Sequence, residues 1–241
     1  MKPRQSPEDL TALLARVPLL EGVNEATLRG AAEVLVLRQV SKKESVMLKG
    51  TAGEHLMFLL SGRLQVFDVT EGGREIGLNL LGPGDYFGEI SIIDGRPRSA
   101  SVIAIEASTI ALLPKLQALQ LFHQNALVAE RVLKGLANKL RNASVFQTIL
   151  CLPNASQRVF ALLRHMSSTV GGGLTVVEHP PKQQELAIMA NTSRETVSRA
   201  IKVLTDKRIV EKDNHRLIVR QPAQLEALTY RDAGSDHRTP G

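Results

Sequence analysis

At 241 residues the chain can hold one large domain or two ordinary ones. Its 43% hydrophobic content is enough for real cores, but with 3% aromatics and no tryptophan these must be built from Leu, Ile, Val and Ala. A formal charge of +6 favours an anionic partner such as a nucleic acid, a nucleotide or a membrane surface, although an ordinary basic soluble protein carries as much. The single cysteine, Cys151, excludes an intrachain disulfide and a four-cysteine zinc or iron–sulfur site built from one chain.

Residues 8 to about 36 carry helical apolar spacing, with Leu10, Leu13, Leu14 and Val17, then Leu28, Ala31 and Ala32; Pro18 breaks it. From Val36 to Leu113 the texture changes to short β-type runs punctuated by glycine: Val46 to Leu48, Leu56 to Leu60, Leu64 to Phe67, Ile76 to Leu81 and Ser101 to Leu113. Many short strands at this spacing predict an antiparallel β jelly roll. Helical spacing returns over 115–152. Ala126, Ala129, Leu133, Leu136, Leu140, Ala143, Gln147 and Leu150 recur at alternating three- and four-residue intervals, the seam of a coiled coil on a helix roughly 40 Å long. That seam predicts a homodimer; the other reading is a helix packed on its own domain. Gln147 weakens one layer and can set register.

Pro153 then ends the helix and Asn154 is a candidate N-cap. A short amphipathic helix at Arg158–Met166, a flexible Gly171-Gly172-Gly173 turn, two helices within Lys182–Lys207 broken near Asn191, and a hairpin over Ile209–Val219 predict a winged helix-turn-helix. The expected fold is α+β: a jelly roll at 8–125, a dimerisation helix at 126–152, a winged helix-turn-helix at 153–228 and a fraying tail at 229–241. No apolar run approaches the roughly 18–20 residues of a membrane span. The start, Met1 to Ser6, has no apolar stretch behind it, so the chain reads as cytoplasmic, without a secretory signal and without a membrane partner.

Two stretches carry chemistry. In the first, Phe87-Gly88-Glu89-Ile90-Ser91 is followed by Arg96-Pro97-Arg98-Ser99-Ala100, which puts a carboxylate and a guanidinium nine residues apart. Gly88 permits a tight turn and close approach to a ligand. Residues 89 to 92, including Ile90 and Ser91, can form one helical turn whose N–H groups face a phosphate. Arg98 supplies a forked permanent charge matched to phosphate oxygens, Ser99 a hydroxyl donor, and Glu89 an acceptor suited to a ribose 2′-hydroxyl. A Glu–Arg ion pair that merely ties down a loop is the plainer reading.

The second stretch is Thr192-Ser193-Arg194-Glu195-Thr196-Val197-Ser198-Arg199. With Asn191 in the turn, Val197, Ile201 and Leu204 fall on one face, and Arg194, Glu195, Ser198, Arg199 and Lys202 on the other. Arginine pairs with the O6/N7 edge of guanine and glutamate accepts from the cytosine amino group, which fits a G·C-rich half-site in the major groove. Ser198 and Lys202 suit the phosphate backbone. Thr192-x-x-Glu195 also reads as a capping box, and the charged positions as a solvated face.

Both motifs resemble the cyclic-AMP receptor protein/fumarate-nitrate regulator (CRP/FNR) family, and the likeness runs from about Leu13 to Leu228. It implies a cyclic-nucleotide-binding domain at 8–125, with Glu89 on the ribose hydroxyl, Arg98 and Ser99 on the cyclic phosphate, and Gly88 matching the family glycine. Arg194, Glu195 and Arg199, with Ser193 beside them, inherit DNA reading. The resemblance further implies a homodimer on a palindrome near TGTGA–TCACA, and RNA polymerase as partner. The chain departs from the family at Ala143: where cyclic-AMP responders place Thr-Ser on the long helix, it has Ala143-Ser144, and only the serine remains. One adenine contact is therefore missing: cyclic AMP is the first candidate effector, with cyclic GMP and cyclic di-GMP behind it. No covalent cofactor, metal site or catalytic residue is expected. A cupin-type metalloenzyme would need clustered histidines, and the barrel region holds only His55. A haem sensor on His55 or His123 is the nearer rival, followed by a ligand-independent regulator.

Overall fold

The computed structural model describes residues 6–69, 72–73 and 75–230. The chain divides into two compact units, residues 1–141 and 142–241.

The first unit opens with α1 (Pro7–Ala15). Ser6 caps it, accepting from Asp9 N–H while Asp9 accepts from Ser6 N–H, and Pro7 sits at the first helical position, where a missing N–H costs nothing. A 3₁₀ turn at Pro18–Leu20 precedes α2 (Glu25–Val34), capped by Asn24. Eight strands follow: β1 (Val36–Val40), β2 (Ser45–Met47), β3 (His55–Ser61), β4 (Leu64–Val69), β5 (Glu75–Leu81), β6 (Tyr86–Phe87), β7 (Ser101–Ala104) and β8 (Ser108–Pro114). They form two four-stranded sheets, ordered β1-β8-β3-β6 and β2-β7-β4-β5, with antiparallel pairing throughout, as expected of a jelly roll. Strand β3 shows why its sequence is continuously apolar rather than alternating. Leu56 and Phe58 enter one core cluster with Leu14, Leu20, Leu28 and Phe122 of the helices, while Met57 and Leu59 enter the other with Leu64, Val102 and Ile110 of the strands. Short helix α3 (Glu89–Ile93) lies between β6 and β7, and α4 (Lys115–Gln124) follows β8.

Helix α5 (Ala126–Leu150) ends two residues before the expected 152, and the division between units falls inside it. Its sides differ. Val128 and Val132 are buried in the helical cluster of the first unit and Leu136 packs against that cluster, whereas Leu133 and Leu140 are 67% and 71% exposed. Of the residues expected in the seam, Leu136 thus packs against the core of its own unit, as the alternative reading of the helix has it.

The second unit runs through α6 (Ala155–Met166), β9 (Ser168–Val170), β10 (Leu174–Glu178), α7 (Gln183–Met189), α8 (Arg194–Asp206), β11 (Val210–Asp213), β12 (Arg216–Val219) and α9 (Pro222–Tyr230). Asn154 caps α6 as expected. The hairpin β11–β12 is there, but it belongs to a four-stranded sheet ordered β11-β12-β10-β9, and the three glycines join two of those strands. Thr229, the expected start of the tail, is fully buried within α9, its hydroxyl donating to Leu225 O. Residues 231–241 lie outside the described residues. No described helix is long and apolar enough to cross a membrane.

Candidate functional sites

Gly88 precedes α3 with φ 80° and ψ 8°, the left-handed region that favours glycine, and a Cβ there would overlap Arg98 Nη1. Glycine is thus required twice over, by backbone and by contact. The segment carrying Arg98 is stitched to the loop after β2: Arg98 N–H donates to Thr51 O (2.8 Å), and Gly50 N–H to Arg98 O (2.9 Å). Nearby, Gly53 leaves room for Ser91, whose side chain would collide with a Cβ.

Arg98 is only 5% exposed. Its Nη1 donates to Gly88 O (2.6 Å) and Ser91 Oγ (2.8 Å), and Nη2 to His55 O (2.6 Å). Burial pulls the guanidinium down from its ordinary value, while the Glu89 and Glu54 carboxylates work the other way. Glu89 is 2% exposed and pairs with Lys139 Nζ at 2.7 Å. The alternative of a loop-tying Glu–Arg ion pair is therefore not the pairing formed. A buried carboxylate needs a nearby charge or donors, and Lys139 of α5 supplies the charge while Arg98 is taken up by backbone carbonyls and Ser91. Ser99 is exposed, as is Ile90, while Ser91 is buried.

Sequence reasoning missed three neighbours. Lys139 Nζ, besides holding Glu89, stands 5.0 Å from the centroid of the Tyr86 ring. The Tyr86 hydroxyl is buried without a hydrogen-bond partner, and its pKa is pushed up to about 12, first by burial and then by Glu89 and Asp85. It abuts Gly135 so closely that a Cβ there would overlap Tyr86 Oη. A lone glycine inside a helical run was the available signal. Ala143 and Ser144 are exposed on α5.

In the second unit, α7 and α8 are joined by Asn191 at φ 50°, the left-handed turn residue that the sequence anticipates. Val197, Ile201 and Leu204 are buried, whereas Ser193, Arg194, Glu195, Ser198, Arg199 and Lys202 are all exposed. The Thr192–Glu195 capping box is corrected by one residue. Thr192 N–H still donates to Ala187 O (2.9 Å), so the chain becomes extended only at Ser193, whose hydroxyl accepts from Thr196 N–H (3.2 Å). Ser193 is the cap. Glu195 stays in solvent, its carboxyl held below the usual carboxylate range by its own backbone N–H and the Ser193 hydroxyl, then by Arg194 and Arg199. The exposed face therefore carries two guanidiniums flanking a carboxylate on a helix with a buried opposite face.

Residues 37–125 match the cyclic nucleotide-binding domain family, and residues 157–228 the Crp-like helix-turn-helix domain family. The chain is 33% identical over 214 residues to the cyclic AMP receptor protein of Thermus thermophilus, covering 88% of this chain and 97% of that one. It is 28% identical over 192 residues to the CRP-like cAMP-activated global transcriptional regulator of Mycobacterium tuberculosis, with 78% and 86% covered. Among solved structures, FixK2 of Bradyrhizobium japonicum shares the fold with a TM-score of 0.68 at 21% identity, over 83% of this chain and all of that one. These matches set the cupin enzyme aside and cover both units with the two halves of one kind of regulator: the chain belongs to the CRP/FNR family of cyclic-nucleotide-binding transcription regulators.

Proposed function

We propose that the protein is a homodimeric regulator whose affinity for a palindromic operator is set by a cyclic mononucleotide, with cyclic AMP as effector. The observation that carries this reading is the pair of ionic side chains buried on one loop, Glu89 and Arg98, each held by partners on its own unit. Glu89 accepts from the ribose 2′-hydroxyl, and Arg98 with Ser99 meets the cyclic phosphate, a charge-assisted contact. Gly88, Ile90 and Ser91 shape the turn between them. The names of the Thermus and Mycobacterium relatives support cyclic AMP. Ala143 leaves cyclic GMP and cyclic di-GMP as the second reading, because the hydroxyl that family responders to cyclic AMP place there is absent.

Leu133 and Leu140 support the homodimer: two large apolar side chains, one heptad apart, are exposed on the side of α5 away from Val128 and Val132. The dimer presents two copies of α8 to successive major grooves of a site near TGTGA–TCACA, with Arg194 and Arg199 on guanines, Glu195 on a cytosine, and Ser198 and Lys202 on phosphates. RNA polymerase is the expected protein partner. Ligand shifts DNA affinity only by its differential affinity for the DNA-competent state, and operator DNA must tighten the nucleotide by the same factor.

Calorimetry against cyclic AMP, cyclic GMP and cyclic di-GMP, with and without operator duplex, tests the effector. Cyclic AMP is expected to bind most tightly, and Ala143→Thr to raise its preference over cyclic GMP. Equal nucleotide affinity with and without operator would sink the ligand-gated reading. Leu133→Lys with Leu140→Lys is expected to give monomers in sedimentation, and dimers surviving both changes would refute the seam.

A further inference from the structure

Within the second unit, one side chain is spent entirely on backbone. Arg158, the fourth residue of α6, donates from Nε to Ala190 O (2.8 Å), from Nη1 to Leu152 O (2.8 Å) and Pro153 O (3.3 Å), and from Nη2 to Asn191 O (3.3 Å). The four carbonyls belong to two places. Leu152 and Pro153 form the exit from α5, just past its last residue, Leu150. Ala190 and Asn191 form the end of α7 and the left-handed turn into α8.

Both places follow the end of a helix and present backbone carbonyls to Arg158. Carbonyls at a helix end lack intrahelical partners and carry partial negative charge, which a cation satisfies. A planar fork with five N–H donors can serve two separate backbone segments at once; an ammonium on a flexible stem serves such a geometry poorly. The turn is otherwise sparsely tied: the Asn191 side-chain oxygen is buried without a hydrogen-bond partner, and the Asn191 and Thr192 amides reach back only to Ile188 O and Ala187 O.

We propose that Arg158 is a positioning residue that locks the exit of α5 to the turn of the helix-turn-helix. A displacement of the end of α5 is then delivered to α8 rather than absorbed in the connection at 151–154. The lock itself follows from the four hydrogen bonds. Only the source of the displacement rests on the ligand-gated reading above.

The test uses the full chain with Arg158→Lys and Arg158→Gln, and a duplex chosen by in vitro selection with the wild type. Cyclic AMP affinity is expected to stay within about twofold of wild type, since none of the four bonds lies in the first unit, while the ratio of duplex affinity with and without cyclic AMP falls by about fivefold or more, the low end of ordinary allosteric coupling. Amide exchange reads the lock without ligand: Asn191 and Thr192 are expected to exchange about tenfold faster in Arg158→Lys, with the β10–β12 ladder unchanged. Should Arg158→Gln fail to fold, Arg158→Lys decides alone. A wild-type affinity ratio near one overturns the ligand-gated reading and leaves the amides to judge the lock. Wild-type exchange rates in Arg158→Lys overturn the lock, and faster exchange with a full affinity ratio makes Arg158 a residue of the fold only, which also overturns the proposal.

Discussion

On the loop at 88–99, Arg98 is buried and gives three hydrogen bonds to its own unit, and Glu89 is buried against Lys139. On α8, Arg194, Arg199 and Glu195 stand in solvent, with Arg199 Nη2 donating to Thr196 Oγ1 at 3.4 Å. The same residue types are treated in opposite ways, and the proposed roles account for the difference by the size of what each site would receive. In the proposed role a small anion must be surrounded, which suits counter-charges sunk into the domain and held by the fold. A duplex is met on an outer face, which suits proposed readers whose donors stand in water. Function and stability should therefore be entangled at the first site and separable at the second.

The largest effect is expected at Arg98. Arg98→Leu removes the proposed counter-charge of the phosphate and also strips Gly88 O, His55 O and Ser91 Oγ of a donor. A buried acceptor left without a partner costs roughly 1–3 kcal/mol, and loss of a charge-assisted bond weakens ligand by about 1.5–3 kcal/mol. Thermal unfolding and calorimetry on one preparation should show both losses together. Ligand loss at unchanged stability would break the comparison, by showing that the internal bonds of Arg98 stabilise nothing.

Next come Arg194→Ala and Arg199→Ala. Each should relax preference at its own base pair and weaken the selected duplex by about 1–3 kcal/mol, while thermal stability stays within about 0.5 kcal/mol, as for surface changes generally. Parallel in vitro selection and unfolding read the two quantities. A stability loss as large as the binding loss would erase the contrast with Arg98.

How far the sequence reveals these sites depends on the range of the interactions that build them. The glycine, carboxylate and arginine of the cassette sit within eleven residues, and Asn191 with its flanking helices within a few turns, so local pattern is enough to locate them. Strand β3 is legible as a strand because its apolar run is short and bounded by turns. Lys139 is not legible as a partner of Glu89, since fifty positions separate them and only the packing of α5 against the barrel joins them. Gly135 looks like a minor flaw in a helix until Tyr86 is placed against it. Strands β9 and β10 are hidden because three consecutive glycines read as flexibility, although there they make a tight connection with Gly172 and Gly173 at positive φ. The cap of α8 is misread by one residue because Thr192 and Ser193 are both good caps, and only the hydrogen bond from Thr192 N–H back to Ala187 O decides between them.

That misreading yields a sharper test. If Ser193 is the cap, Ser193→Ala should cost about 1 kcal/mol of stability, leaving base preference intact. Thr192→Ala should cost less, and Glu195→Ala should change base preference more than stability. Ser193 would then be a residue of the DNA-binding face whose work is structural. If Ser193→Ala is neutral in thermal unfolding but shifts the selected sequence, Ser193 reads DNA after all and the contrast between the two sites holds without exception.

The smallest effect is expected at Lys202, exposed on the same face of α8 two turns beyond Arg194. A phosphate contact carries no base information, and its free energy comes largely from released counterions. Lys202→Ala should therefore weaken selected and scrambled duplexes alike and leave the selected sequence unchanged. It should also flatten the plot of log affinity against log salt by about one unit, the contribution of a single phosphate contact. Fluorescence titrations at four or more salt concentrations separate this outcome from a base contact, which would alter preference at one position and leave the slope nearly intact. A changed preference would make Lys202 a fourth base reader on α8 and move the edge of the recognition surface one turn further along the helix.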